Sequence, residues 1–559
     1  MGAFARWRKL AAVVPGVASQ TVSAAGQRWR LWGCEHSSHH GRHRRPPRAT
    51  AGRQAMTATQ YADYARDRTG WFFGMSGPAL ALVLVAGLPG LAAMNGGRWL
   101  VLALWVPAWV LLVALVTVQV RGRSVPGWAI ALALHGLGGA MGWTSWQSRA
   151  AAGVAADLGE VDLPGVLAGI QIHDGLPLGP TMNRVALVQN HSSRTWAAVA
   201  RIVHPGIGLA EPGERNRMGA GLAELQEIAS AAELIDLLAI QVRTVPDDGA
   251  ERAAWQDAHR RAGTAVLARQ VNDLLCSMLT PASVRTEAFV TIVVGEDRIA
   301  KPAKEAGGGI DGRARVLHGA MAEVESRLRG PMGCTQVSWL DSPDLAVAIR
   351  TGFAPGERAG LVAAGVAARD NPAVATGVPL AAAGPTRAAA EMRHYDHDAW
   401  SSVTDTILLP ERGAILGALA PVLAPTTPGE RRALTVFYPA MGQGRADRLA
   451  QRAQMSAITG GELRRATGAV ARAKQRRAQA RALGLDEKLA KGRALVRPCA
   501  AATVTVPNTW PVSEFGRRLD ASIRVPGFIP LRLDLAQDSG FAAGAIPLGV
   551  GLPRTRGWR

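Results

Sequence analysis

Two long runs of apolar residues dominate the hydrophobic pattern of this chain. Trp71 to Ala93 (WFFGMSGPALALVLVAGLPGLAA) and Trp99 to Val120 (WLVLALWVPAWVLLVALVTVQV) contain no ionisable side chain. A helix rises about 1.5 Å per residue, so ~20 apolar residues cross a hydrocarbon core of roughly 30 Å, and the runs predict two membrane-spanning helices. Met94 to Arg98 (MNGGR) leaves room between them for a turn only. Trp71, Phe72, Phe73 and Trp99 stand at the edges, where aromatic rings favour the membrane interface. Pro78, Pro89 and Pro107 are better accommodated in spans than in water-soluble helices. The competing explanation, a buried hairpin of a soluble protein, requires charge-free runs of a length rarely found in globular cores.

Arg66 and Arg68 precede the first run and Arg121 and Arg123 come after the second, whereas the turn carries only Arg98. The positive-inside bias therefore predicts that both ends, and the remainder of the chain, lie in the cytoplasm. Residues 121–150 come next. Their middle, Gly127 to Trp146, is uncharged but diluted by five glycines and by His135. It reads as a juxtamembrane or interfacial helix. A third span is the alternative, and it would move the remainder of the chain to the other side.

From about Val161 the pattern changes to short apolar strands and amphipathic helices. Strands are expected around Ile170, Val185 and Ala197 to Val203, a helix from Glu214 to Ala229, and a strand at Ile240 to Thr244. Glu251 to Leu279 reads as one long helix leading into the β-branched strand Thr286 to Gly295. Gly312 to Leu328 returns to helix and Cys334 to Trp339 to strand, closing a cytoplasmic α/β domain over 151–340. Residues 341–430 are rich in Pro, Gly and Ala and read as an elaboration or linker. Residues 431–559 comprise a strand at Leu434 to Tyr438, a basic helical stretch from Gly444 to Gly492, and a final α/β part with a helix at Val512 to Ile523. The expected fold is thus a membrane-anchored mixed α/β protein: a transmembrane hairpin over 56–120, then a large cytoplasmic region.

Charge adds a second constraint. The formal net charge is +20, which favours contact with anionic lipid, nucleic acid or an acidic partner, although an Ala-, Gly- and Arg-rich composition inflates such a count everywhere. Residues 1–55 mix Arg, His, Gly and Pro without an apolar period; they read as a disordered basic extension, with Met56 as the expected start. Within it His36, His39, His40 and His43 suit a solvated tail better than a metal site. Cys34, Cys276, Cys334 and Cys499 lack paired spacing, so neither a disulfide framework nor a zinc knuckle is expected. Arg464, Arg465, Arg472, Lys474, Arg476, Arg477 and Arg481 are the candidate contacts for an acidic partner. With almost no aromatic residue among them, base stacking is poorly supported.

Motifs for chemistry are sparse. The sequence contains no GxxxxGK[ST] phosphate loop, no G-x-S-x-G elbow and no His-Glu-x-x-His pair. The best metal or acid–base candidate is His394, Asp396, His397 and Asp398, with the two histidines on one face if the segment is helical. A surface loop or packed pair is the plainer reading. No catalytic residue and no cofactor is assigned.

The order of parts resembles a known type of machine. The supporting text is RTWAAVARIVHPGIGLAEPGERNRMGAGLAELQEIA (Arg194 to Ala229), AIQVRTVPDDG (Ala239 to Gly249), TEAFVTIVVG (Thr286 to Gly295) and FAAGAIPLGVGL (Phe541 to Leu552). The basic lead and hairpin resemble the PrgI- and VirB-type small membrane subunits of conjugation machines. The α/β region resembles the N-terminal, non-ATPase domain of the CagE/TrbE/VirB conjugation ATPases. The whole is similar to membrane proteins of actinobacterial integrative conjugative elements, in which the two modules are fused. This resemblance implies a structural subunit of a type IV secretion or conjugation apparatus. Its implied partners are a separate P-loop ATPase, other membrane subunits and the lipid bilayer, in a homo- or hetero-oligomer whose contact with nucleic acid is indirect. The EccE component of type VII secretion shares the architecture and is the neighbouring alternative; a membrane-tethered hydrolase using the His394/His397 segment is another.

Overall fold

The computed structural model describes residues 59–61, 77–120, 123–466, 480–481 and 484–552, apart from 156, 180–181, 209, 232, 247–248, 262, 280–283, 411–412 and 486. All of these fall in one compact unit, 56–559, and the N-terminal extension 1–55 lies outside the described residues.

Helices α1 (Gly77–Asn95) and α2 (Trp99–Thr117) pack side by side and are followed by α3 (Val125–Ala140). The α1–α2 turn uses Gly97 at φ 65°, and the Gly96 and Arg98 amides donate to the Ala92 and Ala93 carbonyls at 3.0 Å. Gly87 and Gly90 leave space on α1 for two indoles. A Cβ on Gly90 would meet the Trp105 ring at 3.0 Å. Trp105 Nε1 donates to the Ala86 carbonyl at 3.1 Å and Trp109 Nε1 to the Val83 carbonyl at 3.0 Å. Pro89 offers no amide to the Val85 carbonyl, one residue before the Ala86 carbonyl that Trp105 bonds.

The expected second span, Trp99 to Val120, is corrected at its end. The helix stops at Thr117, and Gln119 and Val120 pair antiparallel with Ser124 and Arg123, a short ladder that reverses the chain into α3. Of the expected first span, 71–76 lie outside the described residues. Among the described residues only Trp99–Thr117, with mean hydropathy 2.5, is long and apolar enough to cross a membrane; the apolar helices Ala81–Asn95 and Val125–Ala140 are shorter.

Among the described residues the rest is a mixed α/β body built on one sheet of thirteen strands. In chain order these are β1 (Ser145–Gln147), β2 (Ile170–Leu178), β3 (Asn183–Asn190), β4 (Thr195–Val203), β5 (Ile235–Pro246), β6 (Val284–Gly295), β7 (Gln336–Trp339), β8 (Arg387–Ala390), β9 (Tyr395–His397), β10 (Trp400–Leu408), β11 (Arg431–Pro439), β12 (Cys499–Pro507) and β13 (Ile529–Arg532). The helices among them are α4 (Pro212–Ala231), α5 (Ala250–His259), α6 (Val266–Leu279), α7 (Glu296–Glu305), α8 (Gly309–Arg329), α9 (Ser342–Phe353), α10 (Arg358–Asp370), α11 (Gln443–Ala466), α12 (Val512–Arg524) and α13 (Gln537–Ala545). The single helix expected over Glu251 to Leu279 is two, α5 and α6, separated at a loop where Gly263 takes φ 87°. Residues 341–430, whose composition gave the weakest pattern, carry α9, α10 and three strands of the sheet.

Strand order across the sheet is β1-β8-β9-β10-β12-β11-β5-β6-β4-β3-β2, with β7 added to β4 and β13 to β10, and every neighbouring pair is antiparallel. This order contains an internal repeat. In the first half β2, β3 and β4 lie in sequence, β5 comes next, and β6 inserts between β4 and β5. In the second half β8, β9 and β10 lie in sequence, β11 comes next, and β12 inserts between β10 and β11. A short strand then pairs with the last four residues of the third: β7 with Ala200–Val203, β13 with Asp405–Leu408. A helix closes each unit, α9 in one and α13 in the other. The halves meet along β5 and β11, whose antiparallel register (Thr244 with Arg432, Leu237 with Pro439) is what a two-fold axis between them requires.

Alternation along the strands puts two apolar faces on this sheet. One is covered by α9 and α13 through Leu345, Ile349, Phe353, Phe541 and Ala545 against Val199, Phe289 and Val293. On the other, Leu225 of α4 and Leu317, Met321 and Val324 of α8 cover the first half, and Phe515, Leu519 and Ile523 of α12 cover the second.

Candidate functional site

The apolar helices form the most conspicuous candidate region, because their large side chains face outward. Leu100 is 85% exposed and Leu104 79%, values that water tolerates poorly on adjacent turns of one helix. How the chain enters and leaves this region bears on topology. Before α1, the Thr59 amide donates to Asn216 Oδ1 at 2.8 Å, and Gln60 and Tyr61 pair antiparallel with Ile415 and Ala414. After α3, β1 pairs with β8 (Arg387 with Gln147, Ala389 with Ser145). Both ends of the apolar region are therefore attached to the same body.

Of the residues expected to set topology, Arg66, Arg68 and Arg121 lie outside the described residues. Arg123 is half-buried, with its guanidinium 5.6 Å from the centre of the Trp128 ring. Of the basic run, Arg464 and Arg465 fall in the last turn of α11, while Arg472, Lys474, Arg476 and Arg477 lie outside the described residues; Arg481 is half-buried.

The His–Asp segment is strand β9 with its flanks, and not a helix. Strand period then separates what a helix would have joined, since His394 and Asp396 share one side and His397 takes the other. His394 Nε2 is 3.4 Å from Asp396, and that hydrogen bond raises the imidazole pKa above its ordinary value. Asp398, at φ 51° in the β9–β10 turn, accepts from the Thr386 amide at 2.6 Å and pairs with Arg350 at 3.1 Å. His397 is fully buried. Its Nδ1 donates to the Phe353 carbonyl at 2.7 Å and its Nε2 lies 2.8 Å from Ser402 Oγ. Burial, then the Arg431 charge, pushes its pKa down to about 3, so the ring is neutral and serves as a polar core residue. Among the described residues no group of three or more His, Cys, Asp or Glu is placed to hold a metal ion.

A polar centre that sequence reasoning missed lies where the halves meet. Helix α9 ends inside the protein, and its last carbonyls have no partner within the helix. Two fully buried arginines supply the donors. Arg243 of β5 donates to the Ala348 carbonyl and the Thr351 hydroxyl, each at 2.9 Å, and to Glu287 at 2.7 Å. Arg431 of β11 donates to the carbonyls of Thr351 at 2.7 Å and Gly352 at 2.6 Å, and to Thr505 Oγ1 at 3.2 Å. With His397 on Phe353, the carbonyls of Thr351, Gly352 and Phe353 are each capped. A cation at a helix C-terminus is favoured by the helix dipole, which helps to offset the cost of burying these charges. Burial alone would raise the Glu287 pKa, but Arg243 outweighs it and holds the carboxyl below its usual range. A chain of hydroxyls runs on from Arg431 through Thr505 and Ser402, 2.7 Å apart, to His397.

A second buried cluster joins β10, β13 and α12. Arg532 donates to Asp405 and to Asp520, each at 3.0 Å, and to the Gly516 carbonyl at 2.8 Å. Burial, followed by the hydrogen bond to Asp520, raises the Asp405 pKa above the ordinary carboxylate range. Both clusters are satisfied largely from within the fold, and their chemistry is that of support. No signal in the sequence marks Arg243 or Arg431, because the carbonyls they cap come from another element far along the chain. No family model and no curated protein matches the chain.

Proposed function

We propose that this protein is a membrane-anchored structural subunit of a type IV secretion or conjugation-like translocation apparatus, with the α/β body on the cytoplasmic side docking a separate P-loop ATPase. The observation that carries the reading is the attachment of both ends of the apolar region to one body, by 59–61 on one side and β1 on the other. A chain that leaves a body and returns to it crosses a bilayer an even number of times; α2 is the one described helix long enough to cross, and this reading takes the apolar run Trp71 to Ala93 as the second crossing. Outward-facing apolar side chains on both helices and the indole–carbonyl bonds between them suit lipid on the outside and interhelical packing within. The resemblance of the body to the non-ATPase domain of conjugation ATPases suggests the partner.

The test is affinity purification of the tagged protein, solubilised from cells that carry its native genetic element, followed by mass spectrometry. Recovery of a P-loop ATPase with other membrane subunits is expected. Recovery of the protein alone would contradict the scaffold reading.

A further inference from the structure

Outside the apolar helices, α6 carries an apolar stripe that no described residue covers. Val266, Leu267, Val271, Leu274, Leu275 and Met278 are between 49% and 71% exposed. The helix is held to the body from its polar side: Cys276, half-buried, makes a hydrogen bond with Gln256 of α5 at 3.0 Å, and Asp273 lies 3.7 Å from Arg260. Every residue of 266–278 except Cys276 is exposed, so the helix stands off the body with its apolar stripe uncovered, where an ordinary surface helix buries that stripe.

The spacing says what kind of surface would fit. Leu267, Val271, Leu274 and Met278 are spaced at intervals of four, three and four, the seam of a coiled coil with Leu and Val on alternating core positions. The flanking positions, where coiled coils carry the charges that select a different partner, hold Ala268, Gln270, Leu275 and Ser277. An uncharged flank permits a helix to pair with its own copy without like-charge repulsion. It also argues against a lipid surface, since interfacial helices border their apolar face with Lys and Arg, whereas the only arginine within α6, Arg269, lies on its far side. Val266 falls outside this seam; the other five side chains, at roughly 100 Å² apiece, offer about 500 Å² per copy and about 1,000 Å² across a pair, the threshold of a specific interface. Membrane anchoring would confine copies to one plane and raise their effective concentration.

We propose that α6 is a self-association site, pairing with α6 of a second copy of this chain in a two-helix seam. The pairing is isologous, with the same residues contributed by both copies.

The experiment is mass photometry of the full-length protein in amphipol, over a range of concentrations. The wild type is expected to form dimers, and Leu267→Gln with Leu274→Gln to raise the dissociation constant at least tenfold. To separate loss of pairing from loss of folding, two further proteins carry Ala268, Gln270 and Ser277 all changed to Glu, or all changed to Lys. Each alone is expected to remain monomeric, and an equimolar mixture to dimerise. A wild type that stays monomeric, a dimer indifferent to these changes, or a Glu and Lys mixture that fails to pair would overturn the proposal. So would amide protection of 266–279 that tracks added lipid and not protein concentration, which would assign the stripe to the membrane surface.

Discussion

The two halves of the sheet share a plan and differ in what connects their strands. Between the third and fourth strands the first half inserts α4, packed on the sheet through Leu225, whereas the second half crosses the equivalent gap with short turns around Ala420–Leu423. Between the fourth and fifth strands the first half inserts α5 and α6, with their exposed apolar stripe, and the second inserts α11 and the basic run beyond it. The outer edges differ as well. β8 is covered by β1, which comes after the apolar helices, while β2 ends the sheet and carries a bulge between Asp174 and Pro177, features that discourage further pairing. The buried polar groups of the repeated framework are thus satisfied largely from within, and the differences concentrate in crossovers and edges. Surfaces for partners belong to those differences.

Four substitutions break or sharpen this comparison, with a fifth as a surface control. The largest effect is expected at the seam between halves. Arg431→Ala leaves the carbonyls of Thr351 and Gly352 buried without donors and should cost about 3–5 kcal/mol in urea unfolding. The control, Lys491→Ala at an exposed pair with Glu487, should cost under about 0.5 kcal/mol by the same assay. Gly221→Ala probes a contact present only in the first half. A Cβ there would stand 2.7 Å from the backbone of Pro331, and a backbone obstacle cannot rotate away, so a loss of about 2–3 kcal/mol is expected.

The third substitution concerns pH and belongs to the second half. The folded-state pKa of His397 is about 3, well below the value of about 6.5 in an unfolded chain. The unfolded state therefore binds the extra proton first, and stability present above about pH 6.5 is lost as pH falls toward 3, by about 1.4 kcal/mol per unit. Between pH 7 and pH 5 the wild type should lose about 2 kcal/mol more than His397→Gln, measured by urea unfolding at both values. The smallest effect of the four is expected in the apolar helices. Trp105→Phe keeps an aromatic ring but removes the bond to Ala86, and should weaken the α1–α2 pair by about 1 kcal/mol in steric-trap unfolding.

Much of this architecture was legible where a residue's role depends on its neighbours in sequence. The apolar run of α2 stands out because it lacks any charge, and β6 because Val, Ile and Thr crowd it. Strands such as β8 (RAAA) and β9 (YDH) carry no such signal; alanine has no strand preference, and these strands exist because neighbouring strands pair with them. Reading His394 and His397 as one face followed from assuming helix, and the strand puts them apart. The internal repeat was hidden because it lies in the order of strand pairing and not in matching residues. Arg243 and Arg431 carry no sequence signal for a similar reason, since α9 becomes their partner only once the sheet is assembled.

The path of the chain through the apolar region decides where the body lies, and thiol labelling in intact cells tests it directly. Single cysteines replace Thr59 before α1, Gly97 in the α1–α2 turn and Ser192 in the body, each exposed to a membrane-impermeant maleimide before and after lysis. A two-crossing hairpin with a cytoplasmic body predicts labelling of Gly97→Cys in intact cells, with Thr59→Cys and Ser192→Cys reached only after lysis. Labelling of Thr59→Cys together with Gly97→Cys would mean that α2 crosses alone, and labelling of Ser192→Cys in intact cells would put the body outside; either result would contradict it.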